Sequence, residues 1–205
     1  MYTLTKWRER IRQRNDMTAY LTHLTRGVND ETPVDVVVKI LKEKRLRASK
    51  DGFINGGEKV VCFQDAPIYG VSQNVKHEIQ NRTELGNKVR YEPVGLSIPK
   101  RSIFNLGGRP VIYEQPIIKN GIKTFPGINS EQLWRVVSLD LSDPDKYIDW
   151  THEREWRIKG DVEVPLHLSY VIVSDYSSYR EFQEKADKEI LNGIAGIITL
   201  EGVLY

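Results

Sequence analysis

Apolar residues in this chain come in short, separated runs, and that spacing limits what it can fold into. Residues 20–25, 59–63, 94–98, 110–113, 134–139, 155–159, 170–173 and 194–200 are rich in β-branched and aromatic side chains, and Gly, Pro, Asn or Asp break the stretches between several of them. Each run has strand length and is too short for a buried helix. Only three or four segments carry helical spacing. Val34, Val37, Val38 and Leu41 recur at i, i+3, i+4, i+7 behind Pro33, with Thr32 or Asp30 as cap, and this helix is expected to end near Arg45. Ser178 to Glu181 reads as a capping box opening a helix that puts Phe182, Ala186 and Ile190 on one face and ends at Asn192-Gly193. Residues 68–86 are a weaker helix, and a glycine-rich loop spans Gly52 to Gly57. Roughly eight strands that do not alternate regularly with helices argue for α+β with a largely antiparallel sheet or split sandwich, not a doubly wound fold.

Residues 6–14, at the front of a basic helix placed at 4–16, carry five positive charges against one negative, and Trp7 and Ile11 share a face. Two readings stay open: a surface helix whose Trp plugs the core, or a contact to nucleic-acid phosphates with side chains available for stacking. The net charge of +2 does not by itself declare a nucleic-acid binder. The 205 residues are enough for a single domain with a sizeable core, taken as 1–205. No apolar run is long enough to span a membrane, and the N-terminus has no apolar signal core, so a cytoplasmic protein with no membrane association is expected.

Several chemistries are excluded by spacing. Cys62 is the only cysteine, which rules out an internal disulfide and a Cys-rich zinc site. His23, His77, His152 and His167 lack metal-ligand spacing, so no metal is expected. There is no Walker loop, no GxGxxG and no nucleophile elbow. What remains is a cluster of ionisable groups at the mouth of a strand, His152-Glu153-Arg154-Glu155-Trp156-Arg157, and a polar pair inside an apolar strand, His23 and Thr25. Taken separately, His23 fits a satisfied strand histidine and Glu155 a member of surface ion pairs.

Taken together and in order, the segments resemble ADP-ribosyltransferases of the DarT type and related abortive-infection toxins. His23-Leu24-Thr25 stands where that family has His-Ile-Thr, and Leu41-Lys42-Glu43-Lys44-Arg45-Leu46-Arg47 at its Lys- and Arg-bearing helix end. Val60-Val61-Cys62-Phe63 and Arg109-Pro110-Val111-Ile112-Tyr113 follow as the next strands. Glu155-Trp156-Arg157-Ile158 leading to Val164-Pro165 matches the strand opened by the catalytic glutamate. The resemblance covers residues 20–175 through short motifs; the stretch between Phe63 and Arg109 is longer than in the compact family, and Glu153 adds a second carboxylate.

The resemblance implies a split antiparallel β-sandwich with peripheral helices and NAD as substrate. Glu155 would stabilise the oxocarbenium-like ribose left as nicotinamide departs, and would hold its 2′-hydroxyl. Glu153 makes a Glu-x-Glu pair of the kind that positions the acceptor, and strand geometry alone favours Glu155 as the essential member. His23 and Thr25 would orient NAD, Arg109 would neutralise the pyrophosphate, and Tyr113 would pack against nicotinamide. The loop 140–154 would face the acceptor, with Tyr147, Trp150, His152 and Arg154 suited to a nucleic-acid base and phosphate; the same loop also fits a segment stapled to the core by Trp150 and Tyr147. The expected protein is a phage-defence or toxin–antitoxin toxin modifying nucleic acid, with an antitoxin partner. A protein-directed transferase, an NAD glycohydrolase, and a non-catalytic antitoxin or nucleic-acid-binding module are the alternatives.

Overall fold

A computed structural model describes residues 2–50 and 54–204; Gly52 of the glycine-rich loop lies outside the described residues. The strands are β1 (Tyr20–Leu24), β2 (Arg45–Leu46), β3 (Val60–Gln64), β4 (Gly95–Pro99), β5 (Arg109–Pro110), β6 (Ile112–Glu114), β7 (Ile117–Lys119), β8 (Ile122–Thr124), β9 (Val136–Ser138), β10 (Glu155–Lys159), β11 (Val162–Glu163), β12 (Tyr170–Val173) and β13 (Gly196–Thr199). The α-helices are α1 (Leu4–Arg12), α2 (Pro33–Glu43), α3 (Ile68–Gln80), α4 (Lys100–Asn105), α5 (Tyr176–Lys185), α6 (Lys188–Gly193) and α7 (Glu201–Leu204). The architecture is α+β. Seven strands form one sheet in the order β13-β12-β4-β1-β3-β10-β5. Every neighbouring pair in it is antiparallel except β12 and β13, which run parallel through the α5–α6 crossover.

The middle of this sheet is its weakest join. β1 is registered with β4 along its whole length, but with β3 at the single pair Thr22–Gln64. The sheet therefore divides into a four-stranded and a three-stranded part, with a side-chain bond crossing the division: His23 Nδ1 lies 2.8 Å from the Cys62 carbonyl oxygen. Gly95 opposite Leu24 is obligatory, because a Cβ there would run into the His23 carbonyl and the Leu24 Cα.

Strand alternation sets the two faces. Phe63, Val61 and Ile158 join Leu21, Leu96, Ile98 and the α2 stripe Val34, Val37, Val38, Leu41 in the main core, against which Trp156 packs. The α2 helix begins as expected: Thr32 and Asp35 form a reciprocal capping box, and Pro33 occupies the first turn. It ends at Glu43 because Lys44 turns left-handed at φ 49°. A second, smaller core of Val75, Ile172, Leu200 and Leu204 binds α3 and α7.

Four expectations are corrected. The helix expected from Ser178 to Asn192-Gly193 is two helices: Asp175, not Ser178, caps α5, and Asp187 caps α6, yet Phe182, Ala186 and Ile190 are all buried. The 110–113 strand is broken between β5, which pairs with β10, and β6, which pairs in parallel with β9. The 134–139 strand is a 3-10 turn up to Arg135 and a strand only over Val136–Ser138. The basic N-terminal helix is shorter than 4–16, with Thr3 as cap and Gln13 closing it. Among the described residues, no helix is long and apolar enough to cross a membrane.

Candidate active site

Glu155 opens β10, and the turn before it explains why its carboxylate faces inward. A 3-10 turn, Thr151–Glu153, ends at Arg154, whose φ of 45° is a left-handed conformation uncommon for a residue with a Cβ. The Arg154 carbonyl accepts from the Asp65 amide at 3.2 Å, and Tyr113 Oη accepts the Glu155 amide at 3.2 Å while donating to the Trp150 carbonyl. Glu153 and Glu155 then line one cavity of about 300 Å³.

Alternation along β10 puts Arg157 on the same face as Glu155, and the two form a buried fork. Arg157 Nε donates to Glu155 Oε1 at 2.7 Å and Nη2 donates to Oε2 at 3.1 Å, while Nη1 donates to the Trp134 carbonyl. Burial works against the guanidinium charge, but the Glu155 carboxylate outweighs it and raises the Arg157 pKa. Each Glu155 oxygen still has a lone pair for a further donor. Glu153 is a different carboxyl. Desolvation, then the neighbouring Glu155 charge, pushes its pKa up to about 7. In the same cavity the Tyr91 hydroxyl is buried without a partner of strict hydrogen-bond geometry among the described residues, and burial raises its pKa.

A titrating Glu153 has a stability signature. A carboxyl whose folded pKa lies above its unfolded value binds more protons when folded, so its effect on stability turns unfavourable as pH rises from about 4.5 to about 7. Glu153→Gln is expected to leave Tm near pH 4 unchanged. At pH 8 it should raise Tm by roughly 2–4 °C for each kcal/mol of relieved desolvation and repulsion. A variant that melts below the parent at pH 8 in scanning calorimetry would show that Glu153 is a stabilising anion instead.

A second cavity, of about 430 Å³, adjoins the first: Arg26, Ser49 and Arg90 line both. His23 and Thr25 line the second one. A carbonyl can only accept, so the His23 bond to Cys62 places the proton on Nδ1 and leaves Nε2 as an acceptor. Burial lowers the His23 pKa, which keeps that neutral form. The Thr25 hydroxyl is committed to the Val94 carbonyl at 3.1 Å. Burial raises the Cys62 pKa, so this thiol is no nucleophile.

The structure does not bring together every residue selected from the sequence. Arg109 is held away from both cavities: its Nη1 donates to the Phe104 and Gly108 carbonyls, and its guanidinium lies 4.1 Å from the Phe104 ring centroid. Arg154 reaches the Asp16 carbonyl at 2.6 Å. Tyr113 supports the Glu155 backbone and is itself pushed up to about 12 by burial. Tyr147 is exposed and lines neither cavity. Trp150 lines the first cavity, with Arg90 4.8 Å from its ring and His152 tilted against it. Desolvation lowers the His152 pKa, so its ring adds no charge at neutral pH.

Besides Arg157, the cations lining the first cavity are Arg26, Lys88 and Arg90, which sequence reading passed over, and Lys39, Arg45 and Arg47 line the second. Arg90 is fixed by its Nη1, which donates to both oxygens of the buried Glu78, and Arg26 donates to the Val89 carbonyl. Lys88 and Arg90 lie in a stretch with no periodicity, and Arg26 is a lone basic residue just past β1. Among the described residues, no group of three or more His, Cys, Asp or Glu side chains is placed to hold a metal ion. No family model, curated protein or solved structure matches the chain.

Proposed function

We propose that the chain is an NAD-dependent ADP-ribosyltransferase that modifies nucleic acid, of the kind used as a phage-defence or toxin–antitoxin toxin. One observation carries the reading. Two carboxylates two residues apart, Glu153 and Glu155, share a cavity beside the division of the sheet, which Arg26, Lys88, Arg90 and Arg157 also line. On this reading the two parts of the divided sheet are the halves of a split antiparallel sandwich, and NAD lies along the two adjoining cavities, whose sizes suit parts of a dinucleotide.

The residue types fit the chemistry. As the bond from ribose C1′ to nicotinamide breaks, its electron pair leaves with the ring and positive charge develops on the sugar. The Glu155 carboxylate, held by Arg157, stabilises that charge and accepts from the ribose 2′-hydroxyl with a free lone pair. The acceptor's nucleophile then bonds to C1′. Glu153, with a pKa of about 7, is matched to take the proton the nucleophile loses. His23 offers Nε2 to a hydroxyl of the adenosine-side ribose. Arg26 and Arg90 replace Arg109 in the role of pyrophosphate clamp.

The clamp is testable by itself. Arg26 is exposed, and its removal deletes one charge-assisted contact. Arg26→Ala is expected to raise KM for NAD by roughly 10–100-fold with a much smaller change in kcat; an unchanged KM would remove Arg26 from the clamp.

The deciding experiment incubates the chain and Glu155→Gln with labelled NAD and single-stranded RNA, single- and double-stranded DNA, or cell lysate. Label on nucleic acid that is absent in the variant supports the reading. Label on protein alone indicates a protein-directed Glu-x-Glu transferase, and nicotinamide release without label transfer indicates a glycohydrolase. No NAD consumption by folded protein favours an antitoxin or binding module.

A further inference from the structure

On the opposite face of β10 from Glu155 lies a groove of about 310 Å³ that the proposed reaction does not use. Tyr2 and Trp7 come from the α1 end, Phe104 from α4, and Trp156 from β10 itself; Lys100 and Arg101 complete the wall. Ile11 anchors α1 in the protein, which leaves Trp7 only partly covered and Tyr2 and Phe104 exposed. The Trp is therefore no plug sealed in the core; it faces an open aromatic slot.

The charge around that slot is predominantly positive. Its acid, Asp65, is neutralised at the base: Lys100 Nζ lies 2.6 Å from Oδ1, and Trp156 Nε1 donates to Oδ2 at 3.1 Å. Arg101 and, along α1, Lys6, Arg8 and Arg12 have no acidic partner among the described residues, and Glu9 is the one acid on that helix. Two further arginines already stack on the groove's own rings: Arg10 lies 5.4 Å from the Tyr2 centroid and Arg109 lies 4.1 Å from that of Phe104. Open aromatic faces bordered by uncancelled guanidinium and ammonium groups are complementary to a ligand that alternates flat π-systems with phosphates. An acidic peptide would use the cations and leave the rings idle. A duplex keeps its bases stacked on one another and would use only the phosphate contacts.

We infer that this groove binds a single-stranded nucleic-acid segment, with bases against Trp7, Tyr2 and Phe104 and phosphates against Arg101 and the basic side of α1. The inference deepens the nucleic-acid reading of the site and rests on it for the acceptor class, but binding at the groove does not depend on transfer.

The test is a fluorescence-anisotropy titration without NAD, using short labelled single-stranded RNA, single-stranded DNA and the matched duplex. Single strands are expected to bind more tightly than duplex, with affinity falling steeply between about 50 and 200 mM salt. Phe104→Ala, at an exposed position, should weaken single-strand binding on the order of 10-fold, and Arg101→Glu should weaken it and flatten the salt dependence. Circular dichroism melts establish that both variants are folded. Equal affinity for duplex and single strands, or an unchanged affinity in folded Phe104→Ala, would overturn the inference. So would binding to phosphatidylserine vesicles with none to the oligonucleotides. Because no NAD is present, a protein that binds strands here but never consumes NAD would sink the transferase reading and leave the groove standing.

Discussion

Glu155→Gln is expected to reduce ADP-ribose transfer, or nicotinamide release if water is the acceptor, by a factor on the order of 10² or more. The substitution keeps the size and an acceptor oxygen for Arg157 but removes the negative charge facing the ribose. That charge is worth most as C1′ becomes cationic, so the loss should fall on kcat more than on KM for NAD. The fork with Arg157 adds a control, because the variant leaves a buried guanidinium without its counter-ion. Rates are therefore compared at a temperature well below the variant's own Tm. Glu155→Asp restores the charge one methylene short and should recover part of the rate. Near-normal turnover in folded Glu155→Gln would end the assignment. Glu153→Gln supplies the contrast: acceptor use should suffer while NAD cleavage persists, and complete loss of cleavage would exchange the two roles.

What made Glu155 legible was local. A strand-like run opened by carboxylates, entered from a loop rich in Asp and Tyr, is a pattern of a few neighbouring residues, and β10 begins where that pattern put it. The same holds for α2, whose apolar stripe and capping box lie within one segment. Period-two alternation also contained the Glu155–Arg157 pair, but sequence does not say that the strand is covered on that face, so the pair read as a surface one. Burial comes from elsewhere: the Trp134 carbonyl that receives Arg157 is 23 residues away. Arg90 was invisible for a related reason. Its place is set by Glu78 at the end of α3 and by the 82–93 segment, which Glu92 ties to the Gly27 amide. None of these contacts leaves a periodic trace. Arg109 went the other way: the Gly107-Gly108 turn lets its guanidinium fold back on Phe104, and a basic residue before an apolar strand looks the same in sequence whichever way it turns. The division of the sheet at Thr22–Gln64 is likewise a tertiary fact, made by a register that a single strand does not encode.

Arg157 should prove the costliest side chain to remove. Its side chain is 4% exposed and that of its partner 11%, so truncation leaves a carboxylate enclosed without a counter-charge and the Trp134 carbonyl without its donor. Arg157→Met, which fills most of the same volume, is expected to destabilise by about 3–5 kcal/mol, a fall in Tm of roughly 6–20 °C for a chain of this size. A solely structural arginine would stop there. Arg157 also holds both Glu155 oxygens in place, so the variant should lose kcat for NAD cleavage with a much smaller change in KM. The double variant Glu155→Gln, Arg157→Met separates the two effects. With no charge left to strand, it should be more stable than Arg157→Met alone, giving strong non-additivity between the two sites. A Tm loss with an unchanged kcat would confine Arg157 to the fold. A loss below about 1 kcal/mol would mean the pair is solvated like an ordinary surface bridge, and the rigid presentation of Glu155 would then have to come from Tyr113 and the Arg154 turn.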